Sequence, residues 1–459
     1  MVSVTSDHDG FSLRIPAGGH VTLDFGVEVG GLLSFITNTN ATNRPQLSLA
    51  FTESPEFIRS ISDDTGAVPT EDYDRAFNVS VPAGQTFYRM PSERFRGGFR
   101  FVTVNALQHV IVSNATCHIG FAPTMDDLRD YSGYFYTGDD TLVKTWYAGA
   151  YTVQTNIAPQ DTGRFLPQVK PGWAYNATLG VAGPILLDGA KRDRAVWPGD
   201  LGISGVSAFL SMGQEGLASV RNALETLFYY QNSSTGEFPF AGPDTASFRS
   251  GSQSDTYHAW SLIAIYNYAI FSGNASWVDL HWTNITRGVD FVVNVLDSST
   301  GLHNQTHTND WARQGGGGYN SALNALDYHA LSSLSSLALG VPSNASTKTQ
   351  RKSQVQGWVA AAERLKASYN TLLWDASANL YRDNQTSAGA LLHPQDGNAL
   401  AVLYNLTQTK SQASNISAAL LGNWNPIGPV TPELPDTISP SSPGSKSSHT
   451  SPPTNPHAL

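Results

Sequence analysis

A chain of 459 residues with 40% hydrophobic and 14% charged residues exceeds one small domain and has ample material for a core, so two domains are expected. The net charge of −10, with acids and bases mixed along the chain, excludes the basic patch that a nucleic-acid partner needs. No apolar run reaches the roughly eighteen residues of a membrane span, and the lone Cys117 excludes an intramolecular disulfide.

Residues 1–125 read as an antiparallel β-sandwich. Short runs of β-type sequence recur at 11–15, 20–25, 31–36, 46–51, 99–104 and 110–113. Turn formers at 16–19, 29–31 and 82–84 separate them.

The period changes after residues 137–140. Asp139 or Asp140 is placed to cap a helix running to about 157. Apolar residues at three- and four-residue spacing then predict helices over 203–214, 215–231, 254–272, 276–297, 319–338, 350–374, 396–408 and 411–421. Helices without intervening strands, joined by alternating long and short loops, predict an (α/α) barrel over 126–422 with its site at the long-loop end. Residues 423–459 are rich in Pro, Ser and Thr and have a disordered composition.

Twelve Asn-X-Ser/Thr sequons, from Asn40 to Asn415, read as a secreted, extracellular glycoprotein. Met1 leads straight into polar sequence with no signal peptide, so the expectation is a chain shortened at one or both ends.

The densest chemistry lies in Asp188-Gly-Ala-Lys-Arg-Asp-Arg-Ala-Val-Trp-Pro-Gly-Asp200. Gly and Pro break it, so it reads as a charged loop between apolar segments. Carboxylates that accept from vicinal hydroxyls, beside a Trp face, suit a sugar. Asp255 can cap a helix or serve a site. Asp310 and Trp311 precede a glycine run, 315–318, that lets backbone approach a ligand closely. His303 and His307 have the i, i+4 spacing of some metal ligands, but no third ligand is evident nearby, so neither metal nor cofactor is expected.

These stretches together resemble the α-L-rhamnosidases of glycoside hydrolase family 78 and their six-hairpin relatives, especially fungal ones. Leu23-Asp-Phe-Gly-Val-Glu-Val-Gly-Gly31, Phe51-Thr-Glu-Ser-Pro55 and Arg94-Phe-Arg-Gly-Gly-Phe-Arg-Phe-Val102 are similar to three β-region motifs of that family. The 188–200 stretch resembles its "DxPxRDExxWxGD" motif. Ser254-Asp-Thr-Tyr-His-Ala-Trp260, Asn309-Asp-Trp311 and Gln395-Asp-Gly-Asn-Ala-Leu400 fall where it has barrel-loop motifs.

The resemblance implies a β-sandwich followed by an incomplete (α/α)6 barrel, and inverting hydrolysis of terminal α-L-rhamnosides by two carboxyl groups. It assigns Asp188, Arg192, Trp197 and Asp200 to the sugar. Two departures stand out. The family's general acid, a Glu, is replaced by Arg194, whose guanidinium keeps its proton. The family's general base lies beyond the point where this sequence turns Pro- and Ser-rich; Glu433 is its last Glu. Asp193, Asp255 and Asp310 are the remaining catalytic candidates, and Trp311 a further sugar contact. The alternatives are a carbohydrate-binding pseudoenzyme and a hydrolase in which Arg194 selects an acidic sugar.

Overall fold

A computed structural model describes residues 3–7, 10–63, 75–164, 175–243, 252–310, 316–341 and 345–432. The chain forms two compact units, Met1–Tyr229 with Ala241–Ser250, and Tyr230–Phe240 with Gly251–Leu459. The first three helices therefore group with the sheet.

In the first unit, β1 (Ser3–Asp7), β2 (Gly10–Ile15), β3 (His20–Thr39), β4 (Leu47–Thr52), β5 (Phe77–Val79), β6 (Gly84–Arg89), β7 (Arg96–Ala106) and β8 (Val110–Ile119) make one antiparallel sheet. Its order is β1-β2-β8-β3-β7-β4-β5, with β6 on β3. β3 takes two sets of partners. Its first half pairs with β7, and from Gly31 it pairs with β8 and β6, after register shifts between Asp24 and Gly31.

The sequence reading placed a turn at 29–31 and two strands around it; the structure runs one bulged strand through. Gly31 is at φ +154°, and a Cβ there would collide with the His118 carbonyl oxygen. The glycines thus serve close strand packing and do not reverse the chain. Alternate positions of these strands, among them Leu13, Ile15, Leu33, Phe35, Leu47, Leu49, Phe51 and Phe99, bury into one core. Phe99 meets Phe25 and Phe51 edge to face, at 5.6 and 4.9 Å.

α1 (Asp140–Thr155) is capped by Asp139, whose carboxylate accepts from the Thr141 and Leu142 amides. β9 (Ile157–Ala158) and β10 (Ile185–Leu186) form a buried two-stranded pair that the sequence reading lacked. α2 (Pro198–Met212) and α3 (Gln214–Tyr229) follow.

The second unit holds α4 (Asp255–Ser272), α5 (Ala275–Val295), α6 (Ser321–Gly340), α7 (Ala345–Leu372), the pair β11 (Trp374–Asp375) and β12 (Leu380–Tyr381), α8 (Gln395–Leu403) and α9 (Lys410–Ala419). Alternate helices pack together: α4 on α6, α6 on α8, and α5 on α7. α4 and α6 are buried on nearly every side along their first turns, as inner helices of a double-layered array must be. Long connections lead into α4, α6 and α8, whereas two residues join α4 to α5. Ser254, rather than Asp255, caps α4: its hydroxyl accepts from the Tyr257 amide at 3.2 Å, and Asp255 is the first helical residue. Among the described residues no helix is long and apolar enough to cross a membrane.

Candidate functional site

Within the first unit, the 188–200 stretch leaves β10 and enters α2. The Asp188 amide donates to the Ala195 carbonyl at 3.1 Å. The Asp188 carboxylate in turn accepts the backbone N–H of Asp193 at 2.8 Å and of Ala195 at 2.9 Å. One side chain thus ties the loop to itself. Val196 then pairs with Gly242, and Trp197, in extended conformation, becomes the N-cap of α2 with Pro198 at the first helical position. Helix α2 therefore begins five residues earlier than the periodicity predicts, and Asp200 lies in its first turn, where the helix dipole favours an anion. Trp197 is buried, while Arg192 and Asp200 are exposed.

Burial pushes the Asp188 carboxyl up to about 8, with repulsion from Asp200 and Asp193 adding to it and the two amide bonds opposing it. Arg194 is 2% exposed. Its Nε donates to the Thr162 carbonyl at 2.9 Å, its Nη2 to Thr162 Oγ1 at 2.9 Å and its Nη1 to the Ala190 carbonyl. The guanidinium also lies 5.0 Å from the Phe95 ring centroid. Burial lowers its pKa to about 10, which leaves it charged at neutral pH. Arg194 sits at φ +61°, a strained conformation for a side chain of this size. The structure turns the Arg194 guanidinium into the loop, toward Thr162 and Ala190.

The β motifs meet this loop. Lys191 Nζ lies 3.1 Å from Glu53. A Cβ on Gly97 would collide with the Ala190 carbonyl, and one on Gly98 with the Glu28 carboxylate. Burial raises the Glu28 pKa, Glu53 adds to the rise, and Lys191 and Arg96 oppose it. The Gly-Gly of β7 is therefore what lets loop and sheet touch.

In the second unit, Asp255 is a junction. Its Oδ2 accepts the Thr306 and His307 amides at 2.9 and 3.0 Å, and its Oδ1 lies 3.1 Å from His307 Nδ1. His303 Nε2 is 3.7 Å from the same carboxylate, and its Nδ1 is 2.8 Å from Asp327. Burial opposes the charge on His303, but Asp327 and Asp255 outweigh it and raise its pKa. Asp310 accepts from the Thr256 hydroxyl at 2.8 Å, so Asp255 and Asp310 both gather at the start of α4. Trp311 lies outside the described residues.

Buried Glu237, His303 and Asp327 and the partly exposed His307 form the rest of this polar group. Only the two histidines gave a signal in sequence, through their spacing. Glu237 and Asp327 come from other loops and helices, and nothing local marks them.

A family model described as the bacterial alpha-L-rhamnosidase 6 hairpin glycosidase domain matches residues 174–424, more than half of the chain. Solved structures agree in fold. A rhamnosidase from Klebsiella oxytoca with rhamnose bound aligns with TM-score 0.67 at 16% identity, over 93% of this chain and 78% of that one. A family 78 rhamnosidase from Bacillus sp. GL1 gives 0.64 at 17% identity over 91% of this chain. The α-L-rhamnosidase of Aspergillus terreus gives 0.58 at 15% over 92%. This chain spans 38% and 42% of the lengths of the Bacillus and Aspergillus proteins. Comparison with curated protein sequences yields no match. The sheet followed by paired helices and the family match agree, and the chain belongs to the α-L-rhamnosidase six-hairpin glycosidase family.

Proposed function

We propose that the chain binds terminal α-L-rhamnose residues at the 188–200 loop and hydrolyses their glycosidic bond with inversion. The observation that carries this reading is Asp188. Its carboxyl is fixed by two backbone amides just ahead of α2, and burial together with the charges of Asp200 and Asp193 raises its pKa. A glycosidase needs one carboxyl that holds a proton at working pH and can pass it to the leaving oxygen. Trp197 supplies the apolar wall, Asp200 and the exposed Arg192 the polar contacts. Turnover of an aryl α-L-rhamnoside, measured beside rhamnose binding by calorimetry, tests the reading; binding without turnover sinks the hydrolase.

One observation favours that second outcome, a carbohydrate-binding chain without catalysis. Arg194 stands where the resemblance expects a Glu, and its guanidinium is committed to Thr162 and Ala190. The same burial counts against selection of an acidic sugar by Arg194. We also place the protein outside the cell. Of the eleven sequons on described residues, nine have an exposed Asn; Asn284 is half-buried and Asn384 buried.

A further inference from the structure

We propose that Glu237, Asp255 and His307 form a binding site for a divalent transition-metal ion of the Zn2+ class. The site goes beyond the sugar chemistry above and lies wholly in the second unit. One carboxylate oxygen from each acid and one ring nitrogen of His307 lie within 4.8 Å of one another. Donors bonded to one tetrahedral ion at about 2.1 Å stand about 3.4 Å apart, so closing on an ion needs up to roughly 1.4 Å of movement.

Glu237 is the observation that separates this group from an ordinary buried hydrogen-bond network. It is 5% exposed, and its Oε1 has no hydrogen-bond partner among the described residues. A buried carboxylate oxygen left without a donor is costly unless a cation or proton answers it.

The other atoms are arranged as a metal site arranges them. Glu237 Oε2 is held by the Gln253 side-chain amide at 2.7 Å, and Asp255 Oδ2 by the Thr306 and His307 amides. Each acid therefore has one oxygen anchored by N–H groups, as outer partners orient first ligands. Asp255 Oδ1 and His307 Nδ1, 3.1 Å apart, are spaced as neighbouring ligands of one ion, with the imidazole as its Nε2–H tautomer. His303, anchored on Asp327, stands behind Asp255. An imidazole nitrogen with two carboxylates selects a transition ion over Ca2+ or Mg2+, which prefer all-oxygen sets. The His307 side chain is 41% exposed, which gives an ion access from solvent.

The test uses the full chain without an affinity tag, dialysed against chelator and titrated by calorimetry with Zn2+ alone. Co2+ absorption in the visible provides a second readout of the ligand set. The expected result is one equivalent bound, weakened about tenfold or more in both Glu237→Gln and His307→Ala. His307 is exposed enough that its variant folds, which keeps the test decisive if the buried Glu237 variant does not. Absence of saturable binding, wild-type affinity in His307→Ala, or equally tight binding of Ca2+ would overturn the proposal.

Discussion

Asp188 and Ala195 are seven residues apart in the chain, yet the carboxylate of one accepts the amide of the other at 2.9 Å. The closed loop this makes has a titratable group as its clasp. The folded-state pKa of Asp188, about 8, is above the ordinary carboxylate value near 4. The fold therefore favours the protonated clasp. That contribution is fully present below about pH 4 and is lost as pH rises through about 8. Urea midpoints of the wild type should decline across this window, and those of Asp188→Asn should decline less. Equal slopes for the two proteins would refute the assignment.

Arg194→Ala removes the bonds to Thr162 and Ala190 and uncovers Phe95. A buried, fully engaged cation of this kind should cost about 3 kcal/mol of stability, read from thermal unfolding. Any loss of binding should be the same for neutral and anionic glycans, because the guanidinium faces the protein. A selective loss for anionic glycans would restore the acidic-sugar reading.

Asp327→Asn leaves the buried His303 imidazole without its nearer anion, with Asp255 at 3.7 Å the remaining one. Removing one partner of a buried pair costs on the order of 3 kcal/mol. In the wild type the raised pKa of His303 gives stability that is complete below the unfolded value near 6.5 and is lost as pH rises through the folded one. Histidine NMR titration should show the His303 pKa falling in the variant. An unchanged titration would place the source of the shift elsewhere.

Asn384 is 2% exposed, and its amide donates to Asp383 at 2.8 Å while its carbonyl oxygen accepts the Thr386 amide. Glycopeptide mass spectrometry of protein secreted from a eukaryotic host should find glycan at exposed sequons such as Asn40, Asn232 and Asn405 and none at Asn384. Quantitative occupancy at Asn384 would contradict the packing described.

The helices of the second unit were legible because a face that is buried must be apolar at helical spacing, and α4 to α9 each show that spacing within a few residues of their true ends. The cap of α4 was not, because Ser254 and Asp255 are both competent caps and only the Ser hydroxyl points back at the Tyr257 amide. The run through Gly30 and Gly31 was misread because a glycine pair signals a turn and a tight strand contact alike. The 188–200 loop was found from its residue types, but the inward turn of Arg194 was not; it depends on Thr162, thirty-two residues upstream. Glu237 left no trace, since its neighbours Asp255 and His307 are eighteen and seventy residues away.

Gly97 has a bearing on modularity. The family model starts at residue 174, so as a sequence unit the helical part looks like a cassette that could be moved between proteins. Yet Ala190 rests on Gly97, and Lys191 is tied to Glu53, both far outside that cassette. A helical segment transplanted alone would keep every residue of its loop and lose the surface that gives the loop its shape. The stretch that the family model matches and the stretch that shapes this loop are different lengths of polypeptide.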